Sequence, residues 1–323
     1  MFKPIAIIAG EPNSISSEII FKSWKLKKRY KHKPLLIIGS IKILNQQKNK
    51  LKYNLKIKKI DINFKKKDLQ GSTLPVYNVD YSQKKPFEKI SKNSQKYIFK
   101  CFDIALKMIK EKKILGIINC PISKEHLFTK KHQGITEFLS RKANKIGNEV
   151  MLIYNKKLSV SPLTTHIPIN EVSKKINKSS IVKKVKIINN FYRKTLKKKP
   201  HIGILGLNPH NFSKLKINDE KKIISDAVKQ IKKNKIKTLG PISPDTSFML
   251  YQKNRLDVLF GMYHDQVLSP FKALFKFSAI NITLGLPYLR ISPDHGVGEN
   301  IIGKKIANPS SLIESIKFFN NLN

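Results

Sequence analysis

The chain has 323 residues, with 64 Lys plus Arg against 21 Asp plus Glu, a formal charge of +43. A 40% apolar fraction is ample for a buried core, which excludes wholesale disorder despite the charge. The longest apolar runs, such as residues 114–120, fall far short of the roughly 18 residues a membrane span needs.

Met1 to Gly10 carries one Lys and a short apolar run, too short for a secretory core, so no signal peptide is expected. Cys101 and Cys120 make neither a disulfide framework nor a metal quartet. A reduced pair in a cytoplasmic protein is the expectation. The charge has two explanations. One is nucleic-acid binding, with Lys and Arg neutralising phosphates. The other is a solvated lysine coat on an ordinary protein. Only five of the basic residues are Arg (29, 141, 193, 255 and 290), whereas base-reading surfaces favour Arg. Lysine also spreads along the chain, and the coat reading is preferred.

Strand-length apolar runs alternate with helical patterns, as an α/β architecture requires. Residues 4–9 predict a strand ending at Gly10. Residues 15–26 predict a helix buried on two sides, since Ile20 and Trp24 lie off the face of Ile15, Ile19 and Leu26. Residues 35–39 and 54–64 predict strands, and 97–112 a helix feeding a strand at 114–119. Two adjacent strands follow at 150–154 and 158–164. A basic amphipathic helix at 180–196 precedes a strand at 202–207, and 219–235 is a helix with acids in its first turn. Strands at 257–262 and 280–286 and a helix at 310–319 complete the pattern. Basic segments 41–95 and 211–218 are expected to be mostly irregular.

Three histidines share a context. His166, His210 and His264 each lie just past a predicted strand, where α/β folds place functional groups. Three imidazoles on one point suit a divalent ion with an open coordination position. Their spacing alone favours plain loop histidines. Asp265 is a ligand or a turn residue. No glycine fingerprint of a Rossmann turn follows the first strand.

The chain resembles the 4-hydroxythreonine-4-phosphate dehydrogenase family of pyridoxal phosphate biosynthesis. The matching blocks are Ile-Ile-Ala-Gly-Glu-Pro (7–12), Gly-Ile-Thr-Glu-Phe (134–138), Thr-Thr-His-Ile-Pro (164–168), Gly-Leu-Asn-Pro-His (206–210), Gly-Pro-Ile-Ser-Pro-Asp-Thr (240–246), Met-Tyr-His-Asp-Gln (262–266), Asn-Ile-Thr-Leu-Gly-Leu-Pro (281–287) and Asp-His-Gly (294–296). Eight blocks in order are specific, and they reverse the preference on the histidines.

The resemblance implies a two-lobed α/β/α sandwich with a central cleft, like isocitrate and isopropylmalate dehydrogenases and unlike a Rossmann fold. Residues 1–323 would be one catalytic unit of two interleaved lobes with the active site in that cleft, working as a homodimer with the site at the interface. It implies that His166, His210 and His264 bind one divalent metal. Thr136, Lys272, Asn281 and Arg290 would hold the phosphorylated substrate. Asp245 would orient a metal-bound histidine or cap a helix beginning near Ser247. Asp294, His295, Gly296 and Asn308 would form the nucleotide loop, with NAD as the cofactor and NADP as the alternative. Zinc, cobalt and nickel suit histidine ligation, and magnesium or manganese enter with added waters.

Several departures from the family pattern matter, among them Asn-Phe-Ser-Lys-Leu-Lys (211–216) in place of a Gly-rich stretch after His210. Position 135 is Ile where the family carries His, with His132 three residues upstream as a candidate substitute. Serines 14, 16 and 17 and Asn13 replace glycines after the first block. Val297-Gly-Glu-Asn replaces the usual Thr-Ala. These bear on substrate identity, so dehydrogenases of threonate or erythronate 4-phosphate are the nearest alternative. A basic nucleic-acid-binding protein with degraded catalysis is the alternative of another class.

Overall fold

The computed structural model describes residues 3–127, 134–209, 219–276, 278–320 and 322. From the N-terminus the elements are β1 (Ile5–Ile8), α1 (Ser16–Lys25), β2 (Leu35–Gly39), α2 (Ile41–Lys50), β3 (Ile57–Lys59), β4 (Leu74–Asn78), α3 (Gln95–Lys110), β5 (Gly116–Asn119) and α4 (Lys124–Leu127). Then come α5 (Ile135–Lys142), β6 (Val150–Tyr154), β7 (Ser159–Pro162), α6 (Val172–Lys175), α7 (Lys178–Thr195), β8 (Ile202–Leu205), α8 (Asp219–Lys233), β9 (Thr238–Ile242) and α9 (Pro244–Leu250). The chain ends with β10 (Val258–Gly261), α10 (His264–Phe275), β11 (Ile280–Leu284), β12 (Leu289–Pro293) and α11 (Ser310–Asn320).

Two units divide the chain. The first takes residues 1–135 and 288–323, and the second takes residues 136–287. The first is therefore discontinuous in sequence.

In the first unit the strand order is β3-β4-β2-β1-β5-β12. Strands β1, β2 and β5 are buried along their whole length and pair in parallel. Near-continuous Ile and Leu is what a parallel sheet covered on both faces selects. Helix α1 buries Ile19, Ile20, Phe21 and Trp24, matching the expected two-sided burial. Each such side chain contributes about 1.5–3 kcal/mol.

In the second unit the order is β11-β6-β7-β10-β8-β9. Strand β10 lies parallel between β7 and β8, while β6 runs antiparallel to both β7 and β11. Val160, Leu259, Val267 and Phe271 belong to one buried cluster that attaches α10 to these strands. Helix α7 starts where the Asn177 side chain accepts the Ser180 N–H at 2.8 Å, a normal N-cap.

Several sequence expectations need correction. Segment 41–95 is largely ordered. It holds α2, which buries Ile43, Leu44 and Gln47 beneath an otherwise polar surface, and the strands β3 and β4. Three apolar-facing positions in ten were too sparse a periodicity to stand out. The strand expected at 54–64 shrinks to Ile57–Lys59, and that expected at 158–164 ends at Pro162. Pro75 in β4, Gly240-Pro241 in β9 and Pro270 in α10 interrupt patterns that otherwise mark a strand or helix. Segment 211–218 lies outside the described residues.

Candidate active site

The loops that follow β7 and β10 are joined by backbone bonds that continue the sheet. Leu163 N–H donates to Gly261 O at 2.8 Å, and both the amide and the hydroxyl of Thr164 donate to Met262 O, at 3.2 and 2.8 Å. That pairing carries His166 and His264 to the same place. Their ring centroids stand 6.2 Å apart with planes tilted by 36°.

Next to β10 runs β8, with Phe260 opposite Ile204, and the segment after β8 leads to His210. Gln266 fastens this segment. Its Nε2 donates to Gly206 O at 2.8 Å and Leu207 O at 3.1 Å, while its Oε1 accepts the Met262 N–H at 2.7 Å. Three neighbouring parallel strands thus lead to the three histidines. His210 itself lies outside the described residues. Among the described residues no group of three or more His, Cys, Asp or Glu side chains is close enough to hold an ion.

Asp265 Oδ1 lies 2.6 Å from His264 Nδ1. A proton on Nδ1 directed at this carboxylate leaves Nε2 with its lone pair, the state a metal ligand needs. His166 and His264 thus bring together imidazole nitrogens, donors of the kind a borderline divalent cation takes. Asp245 sits in the first turn of α9, where its Oδ1 accepts from Ser243 Oγ at 2.6 Å and Thr246 N–H at 2.8 Å. The helix starts at Pro244, three residues before the expected point.

Of the residues expected to hold substrate, Thr136, Lys272 and Asn281 belong to the second unit and Arg290 to the first. Asn281 stands on β11, and its buried Oδ1 has no hydrogen-bond partner among the described residues. A buried unpaired acceptor costs free energy unless a donor reaches it. Lys272 is exposed on α10, and Thr136 is half-buried in the first turn of α5. Ile135, at the family's histidine position, is buried and packs as an ordinary apolar side chain. His132 lies outside the described residues.

Arg290 is on β12, only 2% exposed, and its Nε donates to Asn119 Oδ1 at 2.7 Å. Asn119 ends β5, and its Nδ2 donates to Cys120 O. This partner was missed in the sequence, where Asn119 reads as an ordinary strand end. Burial pushes the Tyr288 phenol up to about 12, against the opposing field of Arg290. Glu11, 1% exposed, is likewise raised by burial, although the Asn13 N–H, the Ser94 hydroxyl and the field of His126 pull it down. In the second unit Lys184 donates to Leu163 O at 2.7 Å. Burial lowers its pKa, while Glu149 and Glu137 oppose the drop.

The expected nucleotide loop is built on the first unit. Asp294 N–H donates to Ser311 Oγ at 3.0 Å, and Ile15 N–H to Val297 O at 3.1 Å. A Cβ on the exposed Gly296 would meet nothing within 4 Å, which leaves backbone open to a ligand. His295 Nδ1 lies 3.2 Å from Gly296 O. Asn308 is exposed and its Oδ1 accepts the Ser310 N–H at 2.9 Å.

Known proteins give a consistent comparison. A 4-hydroxythreonine-4-phosphate dehydrogenase of Sulfurihydrogenibium sp. is 39% identical over 97% of this chain and 96% of its own. The crystal structure of a 4-hydroxythreonine-4-phosphate dehydrogenase from Klebsiella pneumoniae matches with a TM-score of 0.84 at 27% identity, covering 99% of both chains. Isocitrate dehydrogenase from Methylococcus capsulatus matches with a TM-score of 0.50 at 12% identity, covering 96% of this chain and 83% of its own, a likeness of fold alone. The expected α/β class with isocitrate dehydrogenase-like architecture is therefore present. Residues 31–319 match the family described as pyridoxal phosphate biosynthetic protein PdxA, and the chain belongs to that family.

Proposed function

We propose that this protein oxidises 4-phosphohydroxy-L-threonine with NAD to a 3-keto acid, which decarboxylates to 3-amino-2-oxopropyl phosphate in pyridoxal phosphate biosynthesis. The observation that carries the reading is the approach of His166 and His264 at the ends of adjacent strands, beside the strand that leads to His210. NADP is the alternative nucleotide.

His166, His210 and His264 would hold a divalent ion, which would supply Lewis acidity at the substrate hydroxyl, and a bound nicotinamide would supply the hydride acceptor. The chain's own groups do the rest. Asp265 fixes the tautomer and rotation of His264. Arg290 and Lys272 supply fixed positive charge for phosphate and carboxylate, with the arginine held in place by Asn119. Asn281 Oδ1 accepts a substrate donor, and Thr136 hydrogen-bonds the phosphorylated end. Gly296 lets the nucleotide approach the backbone, while Asp294, His295 and Asn308 give it polar contacts.

The active form is a homodimer with its sites at the interface. Two buried free thiols, Cys101 and Cys120, suit a reducing cytoplasm. No helix among the described residues is long and apolar enough to cross a membrane.

The test is NAD reduction with 4-phosphohydroxythreonine and divalent metal, run beside threonate and erythronate 4-phosphates. Turnover with the first substrate, lost in His210→Ala, supports the reading. Preference for a threonate or erythronate phosphate would assign the Ile135 change to a different substrate. Tight nucleic-acid binding that survives physiological salt, without turnover, would replace the enzyme reading altogether.

A further inference from the structure

Helix α1 carries Glu18 and Lys22 one turn apart, joined by an ion pair of 2.8 Å. Glu18 is 1% exposed, an expensive place for a carboxylate unless it holds something. What it holds is the chain just before Asn308. Glu18 Oε1 accepts the Ala307 N–H at 2.7 Å. Lys22 Nζ donates to Ala307 O at 2.7 Å and to Lys305 O at 3.0 Å. One ion pair therefore takes both backbone polar groups of Ala307, itself 1% exposed.

The segment does not adopt this path cheaply. Lys305 has φ +64°, a left-handed conformation that a side chain disfavours. Gly303, two residues earlier, has φ +74°. The same helix entry also grips the other end of the loop, where Ile15 N–H donates to Val297 O. Buried charge has thus been spent on the shape of one loop, and that loop carries Gly296 and Asn308.

We propose that Glu18 and Lys22 are positioning residues for nucleotide binding, holding segment 305–308 so that Asn308 and the exposed backbone at Gly296 meet the cofactor together. The inference rests on the reading of 294–308 as the nucleotide loop. Neither residue touches the cofactor. Their contribution is preorganisation, which removes the cost of ordering the loop at each binding event.

The experiment compares wild type, Lys22→Met, Lys22→Arg and Glu18→Gln as full-length proteins. NAD affinity is read by isothermal titration calorimetry, the KM for NAD and for the phosphorylated substrate by initial rates, and Tm by calorimetry. Lys22→Met should raise both the Kd and the KM for NAD by about tenfold. The substrate KM and kcat at saturating NAD should stay within about twofold of wild type. Lys22→Arg, which keeps the donors, should recover most of the affinity. Glu18→Gln keeps the shape and an acceptor for Ala307, so it should weaken NAD less than Lys22→Met does. A normal Kd for NAD in Lys22→Met overturns the proposal, whatever its Tm. A loss spread evenly over all parameters and tracking Tm assigns the pair to folding and also overturns it. Wild type that fails to bind any nicotinamide nucleotide sinks the loop reading itself, and this inference with it.

Discussion

Arg290 Nε donates to Asn119 Oδ1 at 2.7 Å, and each of the two residues is only 2% exposed. A buried guanidinium aimed by a buried amide is a fixed charge, with little freedom left to lose when an anion arrives. Asn119→Ala leaves that donor short of one bond. It should destabilise the fold by about 1–3 kcal/mol and raise the substrate KM by about tenfold. Denaturant melts and initial rates check both, and an unchanged KM would remove Arg290 from substrate binding.

The 2.6 Å contact between His264 Nδ1 and Asp265 Oδ1 predicts a role in metal affinity. Asp265→Asn should weaken metal binding by about tenfold, at the low end for an orienting carboxylate, because the Asp265 side chain is 78% exposed. Competition with a chelator reads the change. His264→Ala should lose binding further, and wild-type affinity in Asp265→Asn would show that Asp265 orients nothing.

Glu11 gives a pH signature. Burial is the main cause that raises its pKa above the ordinary 4.5, against bonds from Asn13 and Ser94. Proton binding is thus favoured in the fold. The stability it contributes is full below the unfolded value and is lost as pH rises through the folded value. Glu11→Gln cannot titrate. The variant-minus-wild-type difference in Tm should be more positive at pH 7 than at pH 4. A flat difference across that range would contradict the raised carboxyl.

Gly285 stands at φ +84°, and a Cβ there would lie 1.9 Å from Asn148 O. No rotation relieves a clash with backbone. Gly285→Ala should cost more than about 3 kcal/mol, seen as loss of the cooperative thermal transition or a collapse in soluble yield. A wild-type Tm would mean that the 148–149 segment gives way freely.

What the sequence revealed follows from where burial is uniform. Strands β1, β2 and β5 are buried throughout, and residues 4–9, 35–39 and 114–119 stood out accordingly. Helix α2 was hidden, because Ile43, Leu44 and Gln47 face inward from among Lys, Asn and Gln. The histidines were visible as residues that follow strands. The approach of His166 to His264 was not, since it depends on β7 and β10 being neighbours, which no local pattern encodes. Asn119 and the Glu18–Lys22 pair were missed for a related reason. Their partners lie 171 residues away for Asn119 and 283 to 289 away for the pair.

Strand β12 pairs with β5, although all of residues 136–287 are made between them. During synthesis β5 therefore keeps one hydrogen-bonding edge bare until Leu289 leaves the ribosome. At about 5–20 residues per second the wait is on the order of ten seconds or longer. For that time the bare edge of Gly116 to Asn119 is a template for any passing strand. The dense positive charge of the chain, repelling other copies of itself, then has a use before folding is finished.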